Sequence, residues 1–126
     1  MKQGIMVVLV ISLIIFMYFV QINYLTKTGK YLLADIKELE NCIEREDYEK
    51  AEEAIEALED TWDKLKTGWK IFAERENINS IEDKLHGLKA YAKYEEQEEL
   101  AAGANMLYNS IKVAIENEKL TFSNVL

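Results

Sequence analysis

A chain of 126 residues with a single cysteine, Cys42, has room for one soluble domain and cannot close an intrachain disulfide, which excludes a disulfide-stapled scaffold. All 23 acidic residues and 14 of the 15 basic ones follow residue 25, so that part carries about nine negative charges. Such a field repels phosphate backbones, and nucleic acid is excluded as a partner.

The first element is apolar. Ile5 to Val20, IMVVLVISLIIFMYFV, has Ser12 as its only clearly polar member. With Gly4 in front and Ile22, Tyr24 and Leu25 behind, the stretch reaches the roughly 20 residues that cross a hydrocarbon core. A cleavable signal peptide would have a shorter apolar region, about 7–15 residues, followed by small residues at the cut. Here Val20-Gln21-Ile22 follows instead. Residues 1–25 are therefore assigned to a transmembrane anchor that meets the lipid bilayer through residues 4–25, and residues 26–126 to an acidic helical domain. Lys2 stands on one side of the span and Lys27, Lys30 and Lys37 on the other, diluted by Asp35, Glu38 and Glu40, so the positive-inside rule does not decide the orientation. Lys2-Gln3-Gly4 before an apolar helix also has the form of a type IV prepilin leader. The glutamate usual five residues beyond that cut is missing, since Leu9 stands there.

With no proline and no long alternation of period two, everything after the anchor reads as helix. Leu25, Leu32, Ile36, Leu39 and Ile43 lie on one stripe, which either continues the anchor helix or is hinged from it at Thr26-Lys27-Thr28-Gly29. The second helix is the clearest. Tyr48, Ala51, Ile55, Leu58, Trp62, Leu65, Trp69 and Phe72 alternate spacings of three and four, a heptad seam that places both tryptophans in a helix–helix core. Beside it Ala54, Thr61 and Gly68 recur every seven residues, small enough to admit another helix. The third helix carries Ile78, Ile81, Leu85, Leu88 and Ala92, and the fourth Leu100, Ala104, Leu107, Ile111 and Ile115. The closing Val125 and Leu126 are expected to dock on the bundle.

An internal repeat runs at an offset of 49 residues. Leu32, Ile36, Leu39, Ile43, Ala51, Ala54 and Leu58 align with Ile81, Leu85, Leu88, Ala92, Leu100, Gly103 and Leu107. Each half is a helical hairpin with a polar turn, Glu44-Arg45-Glu46-Asp47 and Tyr94-Glu95-Glu96. REDYEKAEEAIEAL has the look of a tetratricopeptide turn and helix. The 34-residue period and three repeats of those arrays are absent, so the spacing predicts an all-α fold: a transmembrane helix, then a four-helix, two-hairpin antiparallel bundle.

The whole chain resembles a bacterial family, domain of unknown function 4363. The matching features are the Lys-led anchor, REDYEKAEEAIEALEDTW, the spaced Trp62 and Trp69, IFAERENINSIEDKLHGLKAY and the Asn124-Val125-Leu126 end. The family's pattern places a histidine near the position of Arg75, so a role tied to that histidine does not transfer. The resemblance implies a membrane-anchored, all-helical, extracytoplasmic domain with no established activity.

Catalysis near neutral pH needs titratable or nucleophilic groups within hydrogen-bond reach of one another. The one histidine, His86, and Cys42 fall on different hairpins. Asp83-Lys84-Leu85-His86 supplies at most half of a di-iron bundle site, whose second imidazole does not exist in this chain. Glu95-Glu96-Gln97-Glu98-Glu99 lacks the bent, Asp-rich form of a calcium loop and suits a helix start. No enzyme, cofactor or metal is expected. The expected function is a membrane-anchored, non-catalytic interaction or scaffolding domain acting on another membrane protein or by self-association. Trp69, Phe72, Gly68 and Thr61 are the candidate partner-binding residues, and a groove at Ala54, Thr61 and Gly68, or at Ala101, Ala102 and Gly103, would receive the partner. The alternative is an extracytoplasmic sensor holding a small solute in a polar cavity inside the bundle.

Overall fold

The computed structural model describes residues 1–125, apart from the side chains of Phe122 and Val125. Four helices follow one another: α1 (Lys2–Glu44), α2 (Tyr48–Phe72), α3 (Arg75–Lys93) and α4 (Gln97–Val125). The expected docking of Val125 and Leu126 falls outside the described residues.

α1 packs on α2 and α4, and α3 packs on the same two, with no diagonal pairs. The result is the square, antiparallel, two-hairpin bundle that the seams imply. Its core is the predicted set. Leu32, Ile36 and Leu39 of α1, Ile55, Leu58, Trp62 and Trp69 of α2, Ile81 and Leu88 of α3, and Leu100, Leu107 and Ile111 of α4 are all buried. Each such side chain stabilises the fold by about 1.5–3 kcal/mol. Tyr48, Leu65 and Phe72, at the margins of the α2 seam, are half-buried.

α1 is one unbroken helix of 43 residues and does not hinge at Thr26-Lys27-Thr28-Gly29. Thr28 turns its hydroxyl back onto the Tyr24 carbonyl at 2.7 Å, and both Thr28 and Gly29 are buried. A Cβ on Gly29 would stand 2.7 Å from Ile115 Cδ1, so this glycine permits close packing rather than bending. The bundle reaches back to Gln21, and Leu25 is fully buried in it. From Ile5 to Val20 most of the large apolar side chains of the same helix are exposed.

The two hairpin turns repeat each other atom for atom. Glu46 and Glu95, 49 residues apart, both take left-handed backbone, φ 55° and 54°. Asp47 N–H donates to the Cys42 carbonyl at 3.0 Å and Glu96 N–H to the Tyr91 carbonyl at 2.9 Å. Glu46 N–H reaches the Ile43 carbonyl and Glu95 N–H that of Ala92. Each is a Schellman close of a helix with a glutamate where glycine is usual. Asp47 then caps α2 by accepting Lys50 N–H at 3.2 Å. Equivalent residues even meet: Tyr48 donates its hydroxyl to Gln97 Oε1 at 2.6 Å, and Gln97 donates to the Ile43 carbonyl at 2.9 Å.

Candidate functional site

The four candidate partner positions lie on the half of α2 nearer the exposed apolar helix, and α1 already occupies most of them. Trp69 is fully buried and donates its indole N–H to Thr28 Oγ1 at 2.9 Å. Its ring meets Trp62 edge-on, with centroids 5.9 Å apart. Gly68 lies directly beneath the Tyr24 ring, whose hydroxyl fills the space a Cβ would take and donates to the Leu65 carbonyl at 3.3 Å. Phe72 is half-buried, and its ring meets that of Tyr24 at a tilt, 5.4 Å between centroids. Thr61 donates to Asp35 Oδ2 at 2.8 Å. The stripe of small residues does admit a helix, and the helix is α1 of the same chain. On α4, Gly103 faces inward onto Leu88, whereas Ala101 and Ala102 are exposed.

At the end of the bundle where α1 leaves it, three segments are tied together by one amide. Gln21 Nε2 donates to the Phe72 carbonyl at 2.7 Å and to Glu118 Oε2 at 2.8 Å. Glu118 is buried, with the backbone N–H of Glu74, at the start of α3, beside its carboxylate. Burial and the neighbouring Glu74 charge push the Glu118 carboxyl up, while the two hydrogen bonds pull the other way. This end also carries Ile71 and Leu120, both large, apolar and exposed.

A feature that core seams do not announce runs down the outer face of α4. Met106, Val113 and Leu120 recur every seven residues and are 56, 49 and 58% exposed. Ala102 and Asn109, also exposed, fill the intervening turns, giving spacings of four, three, four and seven. The strip runs about 27 Å at the usual rise, is apolar apart from Asn109 and from exposed Glu116 seven residues beyond it, and lies on a domain with about nine excess negative charges. Its spacing is readable once one looks beside the buried seam rather than along it. At its α3 edge Asn77, Ser80, Lys84 and Ser110 line an open groove in which Lys84 donates to Ser80 at 2.8 Å. The Nδ2 of Asn77 is buried there without an acceptor.

Of the remaining chemistry-bearing residues, Cys42 is buried and His86 exposed. Among the described residues, no three histidine, cysteine or carboxylate side chains gather in a metal-holding group.

The family model described as "Domain of unknown function (DUF4363)" matches residues 19–125, the bundle together with the last turn of the projecting helix. No similar curated protein or solved structure was found. By the extent of that match, the chain belongs to the family of domain of unknown function 4363.

Proposed function

We propose that the protein is a membrane-anchored, non-catalytic interaction module that presents the outer face of α4 to a partner helix. The observation that carries this reading is the exposed, largely apolar strip Ala102–Met106–Asn109–Val113–Leu120, in which Glu116 is the one charged group at the same spacing. Its heptad-like spacing suits helix-on-helix docking, with apolar knobs at Met106, Val113 and Leu120 and with Asn109 and Glu116 to set the register. The projecting α1 segment, most of whose large apolar side chains are exposed from Ile5 to Val20, is long and apolar enough to cross a bilayer. As an anchor it confines the bundle to the membrane, where a second membrane protein or a second copy meets it at raised effective concentration. A sensor would instead enclose its solute in a polar cavity; the strip faces outward and favours the interaction reading. In this reading the bundle lies outside the cell.

Photocrosslinking tests this. A photoreactive amino acid at Met106 or Val113 of the full chain, in native membranes, is expected to give a discrete crosslinked band. The same group at exposed Glu53, on α2, is expected to give none. A band of twice the chain mass identifies self-association, and any other mass a different protein. No band from either α4 position removes the proposal.

A further inference from the structure

We infer that the base of the bundle is itself a membrane-contact surface, resting on the phospholipid interface beside the span. The inference depends on reading α1 as a membrane anchor and adds a second contact to it. Because α1 is continuous from Lys2 to Glu44, no flexible linker separates span and bundle. Lys2 to Val20 covers about 28 Å at 1.5 Å per residue, close to the roughly 30 Å of a hydrocarbon core. The next residue, Gln21, is bonded to both the Phe72 carbonyl and Glu118. Those two bonds set the α2–α3 turn and that turn of α4 at the depth where the apolar segment ends. α4 then runs on to Val125, about 10 Å further alongside the projecting helix.

The groups brought to that level have interfacial chemistry. Ile71 is 72% exposed, the most exposed large apolar side chain beyond the projecting segment among the described residues, and Leu120 is 58% exposed. Lys70, Arg75 and Lys119 flank them, are exposed, and make no ion pair among the described residues. Lys70 and Arg75 also border an open groove of about 270 Å³ with Ile78, Asn79 and Glu82. Apolar side chains with long cationic neighbours are the pattern of a surface that dips into headgroups, the cations reaching phosphate while their stems cover apolar area. Glu74 and Glu76 stand at the same turn, and the domain as a whole is acidic, so the fit is to a zwitterionic interface rather than to a strongly anionic one.

The test uses the full chain carrying Cys42→Ala, reconstituted in phosphatidylcholine vesicles, with one fluorophore-labelled cysteine at a time. Ile11→Cys reports the span, Ile71→Cys and Leu120→Cys the base, and Ala57→Cys the exposed middle of α2. Nitroxide placed near the headgroup is expected to quench the Ile71 and Leu120 probes about threefold more than the Ala57 probe. Nitroxide near the bilayer centre is expected to quench the Ile11 probe. Ile11 quenched while Ile71 and Leu120 match Ala57 overturns the inference and leaves the anchor standing. Ile11 unquenched removes the anchor and the inference with it. Because all four positions are exposed, labelling leaves the core packing intact.

Discussion

The two ends of the bundle are held by different means. The distal end is built twice from one pattern: matching Schellman turns, aliphatic seams, and equivalent residues Tyr48 and Gln97 in contact. The end nearest the projecting helix is built once. There aromatic rings, a glycine contact and side-chain hydrogen bonds connect positions 41 to 97 residues apart. Repetition suffices where two similar hairpins close on each other. Where α1 must leave the bundle and α2 must pass to α3 through two extended residues, Ala73 and Glu74, the symmetry is lost and specific bonds replace it.

The two tryptophans test that difference most sharply. Trp69 belongs to the bonded end and donates to Thr28, whereas the buried indole N–H of Trp62 has no acceptor. Trp69→Phe leaves a void and takes away the buried Thr28 hydrogen bond, a loss of about 2–3 kcal/mol. Trp62→Phe removes an unsatisfied donor along with the volume and is expected to lose only about half as much. Urea unfolding of the full chain in detergent, followed by helical circular dichroism, gives both values. Equal losses would mean that the Trp69–Thr28 bond contributes nothing specific.

Periodicity made the distal end legible. Spacings of three and four identify which residues face inward, and the offset of 49 pairs the two turns. The other end was only half legible. Small residues at Ala54, Thr61 and Gly68 announced a close approach, but smallness does not name the neighbour. That neighbour is Tyr24, which sequence reading placed with the anchor. The Gln21–Glu118 bond spans 97 residues and involves a glutamine at the margin of an apolar run and a glutamate in a charged helix, so no local pattern links them. Thr28 and Gly29 looked like a hinge by residue type. They pack against Trp69 and Ile115 instead, and the helix runs through them unbroken. The α4 strip was present in the sequence as a second seam, overshadowed by the buried one.

The repeated turns offer a milder test at the opposite end. Glu46 and Glu95 hold left-handed backbone that an L side chain resists and glycine adopts freely. Glu46→Gly and Glu95→Gly are each expected to stabilise the chain by about 0.5–1 kcal/mol in the same urea assay. If the two turns are as equivalent as their hydrogen bonds indicate, the two gains match and add in the double variant. A gain at one turn and a loss at the other would show that the repeat is one of shape and not of energy.

Glu118 gives the smallest effect and the one that depends on pH. Its carboxyl is raised from the usual value of 4.5, first by burial and then by Glu74, so the folded chain holds this proton more tightly than the unfolded chain does. The sign is therefore opposite to that of an ordinary ion-paired carboxylate. Glu118 favours folding below the ordinary glutamate range, and this contribution is lost as pH rises from that range through the raised value. Glu118→Gln keeps an oxygen for the Gln21 amide and the Glu74 N–H while removing the charge. The difference in urea midpoint between native chain and variant should thus shift in the variant's favour as pH climbs through this window, and level off above it. A difference that stayed flat with pH would mean that water at the bundle base already screens the carboxylate, and that Glu118 acts there only as a hydrogen-bond acceptor for the α3 start.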